Sequence, residues 1–354
     1  MASQAINEEK FGALMGKALT DVGGAMSLLL AYMGDRLGLY QALERHGPGT
    51  SDEIAAEAGY DERYVREWLS GVAAAGHLEY DPGSQRFALS PEAALIYAAE
   101  GDPRCLQGFF QAVKSGFDDE EKSTEAFRAG RGLSWGDRSP CCFRGTDRFF
   151  RPGYAVNLVD QWIPSLTGIR EKLEAGAKVA DIGCGHGSST ILMAEAFPNS
   201  TFTGFDFHPP SIDAANEKRA EAGLANVGFE VASAKTFPGT DYDFICIFDA
   251  IHDMGDPAGA AAHIRQALKA DGSFMVVEPL AGDALEENLH LLGSIFYGFS
   301  TLACVPASKA QEVGRALGAQ AGEARLAAVL KEGGFGTVRR AAQTDTNMVL
   351  EARA

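Results

Sequence analysis

The stretch Phe248–Pro257, FDAIHDMGDP, brings one histidine and three aspartates into ten residues. An unperturbed histidine titrates at about 6.5, so His252 has the chemistry of a general base near neutral pH. A carboxylate beside the ring would hold its tautomer and stabilise the imidazolium. Other readings of the stretch compete with that one. Asp253 or Asp256 can cap the helix that begins near Pro257. His252 can position a ligand without taking its proton. Asp249, His252, Asp253 and Asp256 together offer ligands to a hard cation, although no metal is expected here.

A second stretch, VADIGCGHGSST over 179–190, reads as a strand, a glycine turn and the start of a helix. Gly183, Gly185 and Gly187 allow a ligand to approach the backbone closely, and Asp181 puts a carboxylate at the mouth of the strand. The next strand, TFTGFD, ends in Asp206, where an acid can accept hydrogen bonds from both hydroxyls of a ribose. The spacing G-x-G-x-G departs from the dinucleotide fingerprint G-x-G-x-x-G. An acid two residues before the first glycine suits a cationic amino group better than a pyrophosphate.

These residues need strands to carry them. From about residue 166 short apolar runs (KVADIG, TFTGFD, VGFEVA, DFICIFD, SFMVVEP) alternate with helical stretches, the pattern of a doubly wound, mostly parallel sheet. The last two runs, TVRRAAQ and NMVLEAR, are joined by too few residues for a parallel crossover, so they are expected to pair antiparallel. The expected fold class is therefore α/β, a Rossmann-like doubly wound sheet with an antiparallel last strand. Ligands in such sheets lie outside the carboxyl ends of the strands, at the switch point. With the fourth strand beside the first and the fifth beside the fourth, His252 and Glu278 converge there.

Upstream, residues 9–45 read as one helix, with Leu14, Leu19, Val22, Met26 and Leu30 among its apolar residues. Thr50 and Glu53 form a capping box, Gly59 stops that helix, and Asp61 starts the next. The hairpin HLEY-DPGSQ-RFAL follows, giving a mainly helical winged-helix order. The expected domains are 1–100 (helical winged-helix, dimerising), 101–165 (linker and lid helices) and 166–354 (the α/β sheet).

With its DIGCGHG loop, ribose acid and reversed last strand, the segment 166–354 resembles class I S-adenosylmethionine-dependent methyltransferases. With the winged helix in front, the whole chain resembles the two-domain small-molecule O-methyltransferases. The resemblance implies S-adenosylmethionine as cofactor and S-adenosylhomocysteine as product. It implies that Asp181, Gly183 and Gly185, with Cys184 between them, hold the methionine end, that Asp206 holds the ribose, and that Phe207 lies beside the adenine. Ser233 and Ala234 stand where the family usually reads Gly-Asp-Ala, so a hydroxyl replaces the acid that meets the adenine amino group. Asp249 completes the expected cofactor set. The resemblance makes His252 the base, Glu278 its partner acid and Glu323 a second acid, while Met254 replaces the usual tryptophan. Oxygen is the favoured acceptor atom, with nitrogen and carbon left open.

Composition narrows the partners. A net charge of −17 repels nucleic acid and anionic membranes. Residues 50–97 carry nine acids against three arginines, which disfavours the alternative reading, a winged-helix transcriptional regulator that senses S-adenosylmethionine. Six cysteines without paired spacing read as reduced, cytoplasmic thiols. The beginning of the chain shows no leader pattern, and the run AMSLLLAYM is too short to span a bilayer. A cytoplasmic homodimer is expected, acting on a small acceptor that is aromatic or hydrophobic. Aromatics such as Trp135, Phe150, Tyr154 and Phe296 are candidates for its pocket.

Overall fold

The computed structural model describes residues 6–354, so residues 1–5, where the leader was sought, lie outside the described residues. The chain divides into two compact units between Lys114 and Ser115.

In the first unit α1 (Glu8–Arg36) is capped by Asn7, whose side chain accepts the Lys10 N–H at 2.9 Å. It is followed by α2 (Leu39–His46), α3 (Ser51–Ala58), α4 (Glu62–Ala74), the hairpin β1 (Glu79–Asp81) and β2 (Arg86–Ala88), and α5 (Pro91–Tyr97). The single helix expected over 9–45 is thus two. Gly38 takes φ +66°, a left-handed conformation that ends the helical path. The Thr50–Glu53 capping box is present, Gly59 closes α3 at φ +75°, and Asp61 caps α4. Tyr40, Leu43, Ile54 and Leu69 form the fully buried centre of this unit. The stripe on α1 behaves differently: Leu14 is 59% exposed, Leu19 64%, Val22 62% and Met26 57%. By length and composition alone, α1 and the helical run Leu291–Lys309 are each long and apolar enough to cross a bilayer.

Helix α6 (Gln107–Asp118) contains the division. The second unit continues with α7 (Glu120–Ala129), α8 (Pro140–Asn157), α9 (Ile163–Ser165) and α10 (Ile169–Ala175). Then come β3 (Lys178–Ile182), α11 (Ser188–Ala196), β4 (Thr201–Asp206), α12 (Pro209–Ala222) and β5 (Val227–Val231). After these follow β6 (Tyr242–Phe248), α13 (Pro257–Ala267), β7 (Leu268–Pro279), α14 (Leu291–Phe299), α15 (Val305–Lys309), α16 (Glu323–Glu332), β8 (Thr337–Gln343) and β9 (Asn347–Arg353).

The seven strands are ordered β5-β4-β3-β6-β7-β9-β8. Strand β9 runs antiparallel to both β7 and β8, so it alone is reversed. This is the doubly wound sheet with one reversed strand that the short final connection requires. Alternation along β6 and β7 shows why both faces are covered. Phe244, Cys246, Met275 and Val277 enter one core cluster, while Ile245, Ile247, Phe274 and Val276 enter the other. Strands buried on both faces must be apolar on both, and each such side chain contributes about 1.5–3 kcal/mol by leaving water. The order reverses at β3, between β4 and β6, which opens a crevice at their carboxyl ends.

Candidate active site

That crevice holds a cavity of about 460 Å³, lined entirely from the second unit. One wall is the glycine turn after β3. The N–H groups of Gly183 and Cys184 donate to the Phe205 carbonyl at 2.7 and 3.1 Å, and the Gly187 N–H donates to the Cys184 carbonyl at 2.8 Å. Gly185 and Gly187 both take positive φ, +51° and +76°. A Cβ on Gly187 would lie 2.5 Å from the Phe229 ring, so this glycine permits the turn to pack. A Cβ on Gly185 would meet nothing within 4 Å, so this glycine leaves bare backbone on the cavity wall.

Asp206 ends β4 on the same wall. Its Oδ2 accepts the Gly185 N–H at 3.0 Å and its Oδ1 accepts the His208 N–H at 2.8 Å. Burial raises its carboxyl above the usual range, against the pull of those N–H groups. Each oxygen keeps a lone pair for a further donor. Phe207, 49% exposed, presents its ring beside it. Ser233 and Ala234 also line the cavity, and the Ser233 hydroxyl is shared with Thr236 at 2.9 Å. Asp181 is placed differently from expectation. It is fully buried, is not among the lining residues, and accepts the Ser189 and Thr190 hydroxyls at 2.7 Å each. It therefore braces the first turn of α11. Burial pushes its carboxyl up to about 6.

The opposite wall is the loop after β6. Asp249 takes φ +48°, a conformation that aspartate tolerates better than most residues. Its Oδ2 accepts the Tyr154 hydroxyl at 3.3 Å and its Oδ1 accepts the Asn347 amide at 2.8 Å. Burial, and then the Glu278 charge, push the Asp249 carboxyl up to about 8. Asp256 caps α13, accepting the Gly259 N–H at 2.9 Å. Asp253 lies on the wall.

His252 and Glu278 do converge. Glu278 Oε1 accepts the Ile251 N–H at 3.0 Å, and Oε2 lies 2.5 Å from His252 Nδ1. The other ring nitrogen, Nε2, is 3.2 Å from Asp253 Oδ1. Burial opposes a charged ring, but Glu278 and then Asp253 outweigh it and hold the imidazolium well above its ordinary range. The ring is 4% exposed and is not part of the cavity wall. The four-residue cation set considered from the sequence is not assembled. The groups that gather are His252, Asp253 and Cys304, with ligand-type atoms within 4.8 Å of one another.

Glu323 is not brought to the site. It is the first residue of α16, and its carboxylate pairs with Arg340 at 2.6 Å, away from the cavity wall. The sequence reading missed Asp147 and Asn347. Asp147 accepts the Ser188 hydroxyl at 2.6 Å and the Lys218 ammonium at 2.8 Å, tying α8 to the start of α11 and to α12. A signal for it existed. Phe143, Asp147, Phe150 and Tyr154 are spaced i, i+4, i+7, i+11 on α8, and all four line the cavity. Asn347 had none, because it reaches the site only through the pairing of β9 with β7.

The family described as "Methyltransferase domain" matches residues 173–316, and the one described as "Rv2258c-like winged HTH domain" matches residues 24–98. Aklanonic acid methyltransferase DauC of Streptomyces sp. (strain C5) is 30% identical over 108 residues. That stretch is 30% of this chain and 49% of the relative, so the likeness spans about half of its length. The solved structure of mitomycin 7-O-methyltransferase MmcR superposes with a TM-score of 0.72 at 19% identity, covering 98% of this chain and 100% of that one. Human N-acetylserotonin methyltransferase, solved in complex with SAM, gives 0.71 at 16% identity, covering 100% and 99%. At these identities the two structures share the fold with this chain. Residues 173–316 thus match a methyltransferase domain and residues 24–98, in front of them, match a winged helix-turn-helix domain.

Proposed function

We propose that the chain is an S-adenosylmethionine-dependent methyltransferase that acts on an oxygen of a small aromatic or hydrophobic acceptor. One observation carries this reading: a single 460 Å³ cavity has the bare backbone of Gly185 and the carboxylate of Asp206 on one wall and acids with an aromatic stripe on the other. The residues fit the cofactor. Asp206 retains acceptor capacity for ribose hydroxyls, Phe207 offers a ring face, and Gly183–Gly185 let the backbone approach. Asp249 supplies negative charge for a cationic group. When bound, S-adenosylmethionine supplies an electrophilic methyl group on a sulfonium.

The chain's own part is alignment and proton removal. Phe143, Phe150 and Tyr154 provide an apolar wall for a flat acceptor. Glu278, oriented by the Ile251 N–H, fixes the His252 ring, and the His252–Glu278 pair forms the proton-accepting assembly of the loop after β6. To test this, labelled S-adenosylmethionine is supplied with purified protein and a cell extract, and the products are split into organic, nucleic acid and protein fractions. Label in the organic fraction is expected; label confined to protein or nucleic acid would overturn the acceptor class.

The winged helix-turn-helix match is the observation that favours a DNA-binding regulator. Charge argues against it. Arg63 pairs with Glu67, Arg66 with Glu62 and Arg86 with Glu53, at 2.5, 3.2 and 2.8 Å, so the arginines of residues 50–97 are already matched by acids. A salt-sensitive gel shift of duplex DNA would revive the regulator. The exposed stripe of α1 points instead to a second copy of the chain. The Lys17–Asp21 ion pair at 3.0 Å in the middle of α1 suits a watery rim rather than lipid. Val22→Glu is expected to lower the mass seen in sedimentation to that of one chain.

A further inference from the structure

We infer that His252, Asp253 and Cys304 form a binding site for one zinc-class divalent ion, and that an ion held there silences the proton acceptor of the loop after β6. The silencing rests on the methyltransferase reading; the binding does not. Three kinds of donor meet in this corner of the second unit: an imidazole nitrogen, a carboxylate oxygen and a thiol sulfur, with ligand-type atoms within 4.8 Å of one another. Their spacing fits an ion. Nitrogen and oxygen ligands stand about 2.0–2.2 Å from zinc, so at a tetrahedral angle two of them lie about 3.3 Å apart. His252 Nε2 lies 3.2 Å from Asp253 Oδ1.

Two further features point to an ion rather than a chance cluster. Asp253 Oδ1 is buried and makes no hydrogen bond, an orphaned acceptor that costs free energy until a donor or a cation meets it. Behind the ring, Glu278 Oε2 lies 2.5 Å from His252 Nδ1, and Glu278 Oε1 is anchored by the Ile251 N–H at 3.0 Å. An ionised carboxylate only accepts, so this bond puts a proton on Nδ1 and leaves Nε2 as the ligating nitrogen. A carboxylate behind a histidine is the outer-shell arrangement that orients a metal-binding ring. The thiol selects the metal: magnesium and calcium prefer shells of oxygen, whereas sulfur with nitrogen suits zinc. One carboxylate and one thiolate also cancel the charge of a dication, as burial requires where His252 is 4% and Cys304 6% exposed. Asp253 lines the cavity, so the ion enters from there and a water on that side completes four ligands.

Binding forms bonds from the metal to Nε2, Oδ1 and Sγ and displaces waters from the ion. The thiol proton, with any proton that Nε2 carries, passes to water, and nothing is oxidised or reduced. The Nε2 lone pair that holds the ion is the one with which the ring would take a proton from an acceptor hydroxyl. Occupancy and proton removal therefore exclude each other, and the metal-free form is the active one. This gives Cys304, which methyl transfer itself does not use, a function beside the proton acceptor.

The test uses the full chain, with cobalt(II) as the spectroscopic probe and zinc in the transfer assay. Cobalt added to metal-free protein is expected to raise a sulfur-to-cobalt charge-transfer band in the near ultraviolet that saturates at one ion per chain and that zinc erases. The band is expected to vanish in Cys304→Ser and to persist in Cys141→Ser. No band in the unaltered protein, or one that survives Cys304→Ser, would overturn the site. Should Cys304→Ser not fold, X-ray absorption at the zinc edge of the unaltered protein decides. A shell with one sulfur at about 2.3 Å and the remaining ligands at about 2.0–2.2 Å is expected, and a sulfur-free shell would overturn the site. Saturating zinc is expected to cut label transfer into the organic fraction about 100-fold or more, with a chelator restoring it and S-adenosylmethionine affinity by calorimetry staying within about twofold. Transfer that bound zinc leaves unchanged or raises would overturn the silencing. Failure of the metal-free protein to bind S-adenosylmethionine would sink the methyltransferase reading itself, while the cobalt spectrum still decides the site.

Discussion

As the acid proposed to face the cofactor's cation, Asp249 would move the pH dependence of cofactor affinity from the ordinary aspartate range up to about pH 8. Its carboxyl is pushed up to about 8 by burial and by Glu278, with Tyr154 and Asn347 donating to it. At about pH 7 such a group is ionised in roughly one molecule in eleven. A cationic ligand demands the ionised form, so binding near pH 7 is weakened roughly tenfold relative to the limit at high pH, or about 1.4 kcal/mol. The perturbation is Asp249→Asn, which keeps the shape and removes the titration. The cofactor's own amino group titrates too, so the informative quantity is the ratio of wild-type to variant affinity, measured by calorimetry. That ratio is expected to rise roughly tenfold from about pH 7 to about pH 9, with a proton released on binding at the lower pH. A flat ratio, or one that falls, would refute the reasoning, because it would mean that Asp249 does not face the cation or is already ionised.

The same shift has a consequence for stability. The folded protein keeps the Asp249 proton up to about pH 8, while an unfolded aspartate releases it near 3.9. Wild-type stability from this group is therefore lost as pH rises between those values, and Asp249→Asn is expected to raise the melting temperature more near pH 8 than near pH 5. Tyr154→Phe removes the hydroxyl that Asp249 accepts at 3.3 Å. Because that bond favours the ionised form, the affinity–pH midpoint is expected to move upward by a fraction of a unit in the same calorimetric series. Two glycine variants separate folding from binding. Gly187→Ala places a Cβ 2.5 Å from the Phe229 ring at φ +76° and is expected to cost about 2–4 kcal/mol, read as a drop of several degrees in thermal melting. Gly185→Ala meets no protein atom within 4 Å, so its smaller strain is expected to leave melting nearly intact while cofactor affinity falls.

Much of this molecule is legible in local order. Short apolar runs, the capping box at Thr50–Glu53, the glycine turn at 183–187 and the short connection before β9 act over a few residues. Their physics of chain sterics, caps and closure does not depend on distant partners. From these followed the seven strands, the reversed last strand, and the placement of Asp206, Asp249 and the His252–Glu278 pair near one mouth. The break at Gly38 was visible as a residue, but an isolated glycine inside an apolar period does not by itself end a helix.

Only the tertiary structure decided what each acid faces. Asp181 and Asp206 both sit at strand ends, yet one is turned under α11 by Ser189 and Thr190 while the other opens on the cavity. Glu323 is held off by Arg340 across the packing of α16 on β8. Asn347 arrives through an antiparallel register, and the Cys304 thiol comes within 4.8 Å of His252 from a segment far along the chain. The sequence determined which chemical groups exist and which elements carry them. Rotation about those elements, sheet register and burial decided which acids meet the His252 ring, which carboxyl keeps its proton and which residue touches the cavity, because those depend on contacts between residues distant in the chain.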